Sequence, residues 1–207
     1  MMSTHMTAAQ AQQGIDQINV SGQYVMAAKA GRVERVIALL AEGAKVNSRD
    51  RNGDSPLNMA AAKGNIALAD VLLKAGADVD LANVAGVTPL MGSAFNGHAG
   101  IVRKLLAAGA KISPVDRVTK NAATYAAGSG CSECLSELIK AGTLVNAPLD
   151  NNLTLLMWAA AYGQDKTVRL LLAEGADRSL KDNRNKTASD MARDGKHLEV
   201  AGMIDQQ

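Results

Sequence analysis

The stretch GDSPLNMAAAKGNIALADVLLKAGADVD, residues 53–80, decides the fold. Its first half sets Ser55-Pro56 ahead of an Ala-rich run that stops at Gly64. A serine hydroxyl caps a helix N-terminus, and proline suits the first helical position because the missing N–H would be unpaired there anyway. The second half places Leu68, Ala69, Leu72 and Leu73 on one stripe of a second helix. It closes on Gly76, which adopts a left-handed C-cap at least cost. Isolated helices shorter than about 12–15 residues are marginal in water, so this pair needs a neighbour to bury its stripe.

The neighbour is a copy of the same unit. GVTPLMGSAFNGHAGIVRKLLAAGAKIS (86–113) follows at a shift of 33, and LTLLMWAAAYGQDKTVRLLLAEGADRS (153–179) keeps the register. One glycine series falls at 31, 64, 97, 130 and 163, and a second at 43, 76, 109, 142 and 175. Position 196 continues the first series as Lys196, followed by His197 as Gly97 is followed by His98. About six units result: 17–49, 50–82, 83–115, 116–148, 149–181 and 182–207, behind a leader or N-terminal extension over 1–16. Repeats of this length bury their apolar faces by stacking, which is a solenoid.

On SPLNMAAAKGN (55–65), TPLMGSAFNGH (88–98), LLKAGADVD (72–80) and LLAEGAD (171–177), the sequence resembles the ankyrin repeat family over about residues 20–205. The resemblance implies an all-α solenoid of helix-turn-helix-loop units with atypical capping repeats. The first unit lacks the Thr-Pro start. The fourth has Asn121-Ala122-Ala123-Thr124 in place of Thr-Pro-Leu-His, and Thr119 in place of the loop glycine. The last is truncated. Arg35 and Asp205 put charge on stripe positions of the end units, where one side of the stack faces water.

Composition narrows the function classes. Net charge is only +2 and aromatic residues make up 2%, so neither a nucleic-acid partner nor stacked bases are expected. No apolar run reaches the ~18 residues of a membrane span. Phosphate-loop, HExxH and GxSxG motifs are missing, so no enzyme activity, cofactor or metal is expected. Asp50, Asp116 and Asp182 recur in register at loop starts and read as turn residues. His98 and His197 share one repeat position and read as hydrogen-bonding turn histidines. Trp158, aligned with Met59 and Tyr125, reads as packing, and Ser129 as a surface residue.

In ankyrin proteins, partners are held by loop tips and by the last turn of each first helix, on the concave side. Carried onto this chain, that implies a partner-binding set of Arg51, Asp54, Lys63, Val84, Val87, Phe95, Asn96, Arg117, Lys120, Leu153 and Tyr162. Phe95, the only phenylalanine, and an apolar tip around Val84 and Val87 make an apolar patch, and Tyr162 adds an amphipathic anchor. The expected partner is a protein with an apolar knob and acidic surroundings, bound by a scaffold that acts as adaptor or as inhibitor or immunity protein and is monomeric when unbound. The competing reading is a redox or metal-linked protein using Cys131 and Cys134, the only cysteines. Within the repeat, however, Cys134 aligns with Leu68 and Ile101 on the stripe, and Cys131 with Asn65, His98 and Gln164 at the turn. His5-Met6 is what a cloning site leaves, and the small polar TAAQAQQG after it reads like the start of a mature secreted protein. A periplasmic or secreted location is therefore expected, with a disulfide between the two cysteines; the alternative is cytoplasmic.

Overall fold

A computed structural model of the chain describes residues 8–206, and side chains from residue 19 onward. Among the described residues there are twelve α-helices and no strand. They form six antiparallel pairs: α1 (Ala8–Lys29) with α2 (Val33–Ala41), α3 (Pro56–Lys63) with α4 (Ile66–Lys74), α5 (Pro89–Phe95) with α6 (Ala99–Ala107), α7 (Ala122–Ser129) with α8 (Ser132–Lys140), α9 (Leu155–Ala161) with α10 (Asp165–Ala173), and α11 (Ala188–Asp194) with α12 (Leu198–Asp205). First helices stack on first helices and second helices on second, so the stack has two helical layers with the loop tips along one edge.

Each first helix after α1 begins on a side-chain cap. Ser55, Thr88, Asn121, Thr154 and Thr187 accept the backbone N–H three residues on. The fourth unit thus keeps the cap that its departing sequence put in doubt, because Asn121 does the work of serine or threonine. The stripes meet between the layers: Leu68, Ala69 and Leu72 of α4, Ile101, Val102 and Leu105 of α6, and Cys134, Leu135 and Leu138 of α8 are all buried. Arg35 is solvent-facing at the first unit, where it pairs with Glu42 at 3.2 Å, and Asp205 at the last pairs with Arg193.

The first helix runs across the position expected as the start of the first unit, residue 17. Residues 1–7, which include the His5-Met6 pair, lie outside the described residues, but 8–16 belong to α1 without a break. Alanine and glutamine are good helix formers, so the stretch extends the helix instead of standing apart from it. Tyr24 anchors α1 in the core, fully buried with its hydroxyl donating to the Val46 carbonyl at 3.0 Å, and burial raises its phenol well above the usual range.

Neighbouring units interlock at the turn between helices. His98 stands over Gly64 of the preceding unit and its Nε2 lies 3.2 Å from the Ala62 carbonyl. A methyl group on Gly64 would come within 2.7 Å of that ring. Gln164 over Gly130 and His197 over Gly163 repeat the arrangement, and Gln164 Nε2 donates to the Gly128 carbonyl at 3.0 Å. Gly64 also has φ +70°, so both backbone and neighbour favour the absence of a side chain. In the fourth unit, Cys131 takes this position, but its sulfur is bonded to Cys134, and a methyl on Gly97 would meet nothing within 4 Å.

Two substitutions test this packing. Gly64→Ala is expected to destabilise the chain by about 2 kcal/mol from left-handed strain plus the His98 collision. The loss should be smaller in a His98→Ala background, as denaturant melts of the double-mutant cycle would show. Thr167 occupies the buried column of Leu68, Ile101 and Cys134, and its Oγ1 has no hydrogen-bond partner. Thr167→Val should therefore stabilise by about 1 kcal/mol, read as a rise of about 2–4 °C in melting temperature.

Candidate functional site

The loop tips share one backbone scheme. The residue at the start of each tip donates its N–H to the carbonyl four positions on: Asp50 to Asp54, Asn83 to Val87, Asp116 to Lys120, Leu149 to Leu153 and Asp182 to Lys186. In four of the five, the same side chain locks the turn from within. Asp50 Oδ1 accepts from Asn52 and Asp54, Asn83 Oδ1 from Ala85 and Val87, Asp116 Oδ1 from Val118 and Lys120, and Asp182 Oδ1 from Arg184 and Lys186. These residues are turn formers, each with its Oδ1 committed to two backbone N–H groups. Leu149 cannot do this, and the fifth tip instead winds a short 3-10 turn over Asp150–Asn152. Adjacent tips are joined by single backbone bonds, Val84 to Asn52, Arg117 to Ala85 and Asn183 to Asn151.

Rigid tips hold side chains against the first-helix layer, and four of the chain's five aromatic residues gather there. Phe95, the last residue of α5, meets Tyr125 of α7 edge-on with ring centres 5.5 Å apart. Lys120, at the end of the fourth tip, sets its ammonium 5.8 Å from the Tyr125 ring centre and 4.8 Å from that of Trp158 on α9. Trp158 stacks on Tyr162, with centres 6.0 Å apart and planes at 7°. The result is a continuous row across units three to five: Phe95, Tyr125, Lys120, Trp158, Tyr162. Its ends are open to solvent, Phe95 at 56% and Tyr162 at 55% exposure, while the middle members are half-buried. The Trp158 and Tyr162 rings pack beside Gly128, where an added methyl would meet them at ordinary contact distance.

The row is fixed from below. The Tyr125 hydroxyl donates to Asp116 Oδ2, the oxygen that the turn leaves over. Burial, and then this carboxylate, push the Tyr125 phenol up to about 12. Asp116 itself is buried and holds the tip, the tyrosine and the backbone of Lys120 in one arrangement.

The expected binding residues divide into those the row gathers and those with other work. Phe95, Lys120 and Tyr162 lie in it. Arg117 and Val118 are exposed on the same tip, and Val84 is exposed on the tip before it. Arg51 is exposed on the second tip. Lys63 is exposed too, but its ammonium caps the Lys29 carbonyl of the unit before. Asp54 receives Asn83 Nδ2 at 2.8 Å, Asn96 donates back to the Gly92 carbonyl at 2.9 Å, and Val87 and Leu153 are half-buried against the core. Trp158 is the member that the sequence reading assigned to packing, and Tyr125, aligned with it, was not put in the binding set. Both are half-buried and pack against the core, yet each keeps a ring face for Lys120, whereas Met59 and Met191 in the same column are buried. The clue was present in the 33-residue spacing of two large aromatics.

The two cysteines sit on the other layer. Cys131 Sγ caps α8 by accepting the Cys134 N–H at 3.2 Å, the two sulfurs are bonded, and Cys134 is fully buried on the stripe. Among the described residues, no three histidine, cysteine, aspartate or glutamate side chains converge on a metal position, and no helix is long and apolar enough to cross a membrane.

A family model described as ankyrin repeats (3 copies) matches residues 24–116 and 113–182. No curated protein matches the chain significantly.

The tyrosine–aspartate contact has a pH signature. A phenol whose folded pKa is raised from its ordinary 10.0 to about 12 stabilises the fold below pH 10 and loses that contribution as pH climbs towards 12. Alkaline melts of the wild type should therefore decline more steeply across that interval than those of Tyr125→Phe. Parallel curves would contradict the buried contact.

Proposed function

Since the chain belongs to the ankyrin repeat family, we propose that it is a non-catalytic scaffold that holds a partner protein against the row from Phe95 to Tyr162. Ankyrin repeats are generally protein–protein interaction modules. The observation that carries this reading is the concentration of four aromatics, in a chain with 2% aromatic content, on one solvent-facing strip. Two of them expose more than half of their surface, which costs solubility and adds nothing to a core. Aromatic anchors of this kind dominate the energy of protein interfaces. The exposed valines at 84, 115 and 118 widen the apolar area, and Arg117 and Lys120 give it a positive rim and centre.

Such a scaffold acts as adaptor or as inhibitor of an enzyme, with a partner that brings apolar side chains and acidic groups to the face. The disulfide supports a location in an oxidising compartment, periplasmic or secreted, because such bonds persist there and are rare in the cytosol. Its placement also favours a structural staple over a redox centre, since Cys134 is wholly enclosed and Cys131 is occupied as a helix cap.

The test is capture from native extract by immobilised wild type, Phe95→Ala and Tyr162→Ala, each shown to be folded by its melt. Each substitution should lower retention of the same captured protein by about tenfold or more. Unchanged retention by both variants would remove the row from the binding surface.

A further inference from the structure

We propose that this face recognises a protein segment that carries a carboxylate side chain between two apolar ones, with the carboxylate on the Lys120 ammonium and the apolar groups on Phe95 and Tyr162. The inference rests on the protein-binding reading above and sharpens it by moving the partner's acid from the surroundings to the centre.

Lys120 is the middle of the row, linked to Phe95 through Tyr125 and to Tyr162 through Trp158. The two rings attract the ammonium through their negative faces and fix its position. They carry no net charge, so they leave its charge uncompensated. Some cations at tips or on helices are matched within the chain, among them Lys29 with Asp50, Lys104 with Asp70, Arg184 with Asp182 and Lys186 with Asp194, but Lys120 alone among the described residues is held over two aromatic rings. Lys120 makes no such pair among the described residues, and neither does its tip neighbour Arg117. The carboxylate of the same loop, Asp116, has both oxygens spent on backbone N–H groups and on the Tyr125 hydroxyl.

The geometry therefore holds a positioned, half-dry cation with no internal counter-ion, and an exposed aromatic on each side of it. A carboxylate arriving there forms a charge-assisted hydrogen bond in a setting that contact with the flanking rings dries further. A free anion would use the centre alone and gain nothing from Phe95 and Tyr162. A segment of alternating apolar and acidic side chains uses all three places.

A random peptide library displayed on phage, selected on the folded chain, tests this, with calorimetric affinities for the recovered peptides. The expected peptides carry Asp or Glu with apolar residues on both sides. Changing that acid to its amide should weaken binding at least about tenfold. Lys120→Met should do the same, and Lys120→Arg should largely retain binding. Peptides without an acidic preference, equal affinity for acid and amide forms, or undiminished binding to Lys120→Met would overturn the central carboxylate. If such peptides still lose affinity on Phe95→Ala or Tyr162→Ala, the binding face itself stands. Peptides indifferent to both aromatic substitutions would overturn the face as well, and failure to enrich any peptide counts against both readings.

Discussion

Burial between neighbours is the constraint on which everything else in this chain depends. Helices of seven to nine residues make up every pair after the first helix, and none reaches the length at which a helix persists alone in water. Their stability comes from the stripes of leucine, isoleucine, valine and alanine that each unit turns towards the next. A fully buried leucine contributes about 1.5–3 kcal/mol, and the stripe repeats in each unit. With few aromatics available, the helices approach closely through alanine and glycine. The large side chains are thereby left for places where packing does not require them.

That economy gives the surface row its meaning. The stack would tolerate a small residue at Phe95 or Tyr162, since the first column also holds Ala62, Gly128 and Ala161 and the second Ala30, Ser129 and Gly195. Yet the tip that presents Lys120 is locked by an aspartate using both oxygens, and the tyrosine it holds supports the adjacent ring. Rigid tips lower the entropy that binding must overcome, because the contact residues are ordered before a partner arrives.

The period of 33 made the helix pairs, the caps and the buried columns readable, because glycine, hydroxyl residues and leucine each meet a local demand that recurs in every unit. Asn121 and Thr119 looked like faults in the fourth unit, but the structure shows an intact cap, with Thr119 at φ 61° in the place of the loop glycine. Lys120 was expected in the binding set, but its place over Tyr125 and Trp158 was harder to read. Tyr125 and Trp158 share a column with the buried Met59 and Met191, and only the three-dimensional course of the tip shows that a lysine 38 positions before Trp158 reaches over its ring. The extension of α1 back to Ala8 was equally hidden, because the repeat pattern begins inside a helix that does not end where the pattern does.

The interlock at Gly64 and His98 bears on how such a chain can change over time. The glycine belongs to one unit and the histidine that needs its empty space belongs to the next, as with Gly130 and Gln164 or Gly163 and His197. A unit cut at its loop and moved elsewhere would separate each member of such a couple from its mate. At the junction of the third and fourth units this couple is missing, since Cys131 makes no claim on Gly97, and a cut there would instead separate Phe95 from Tyr125 and break the row itself.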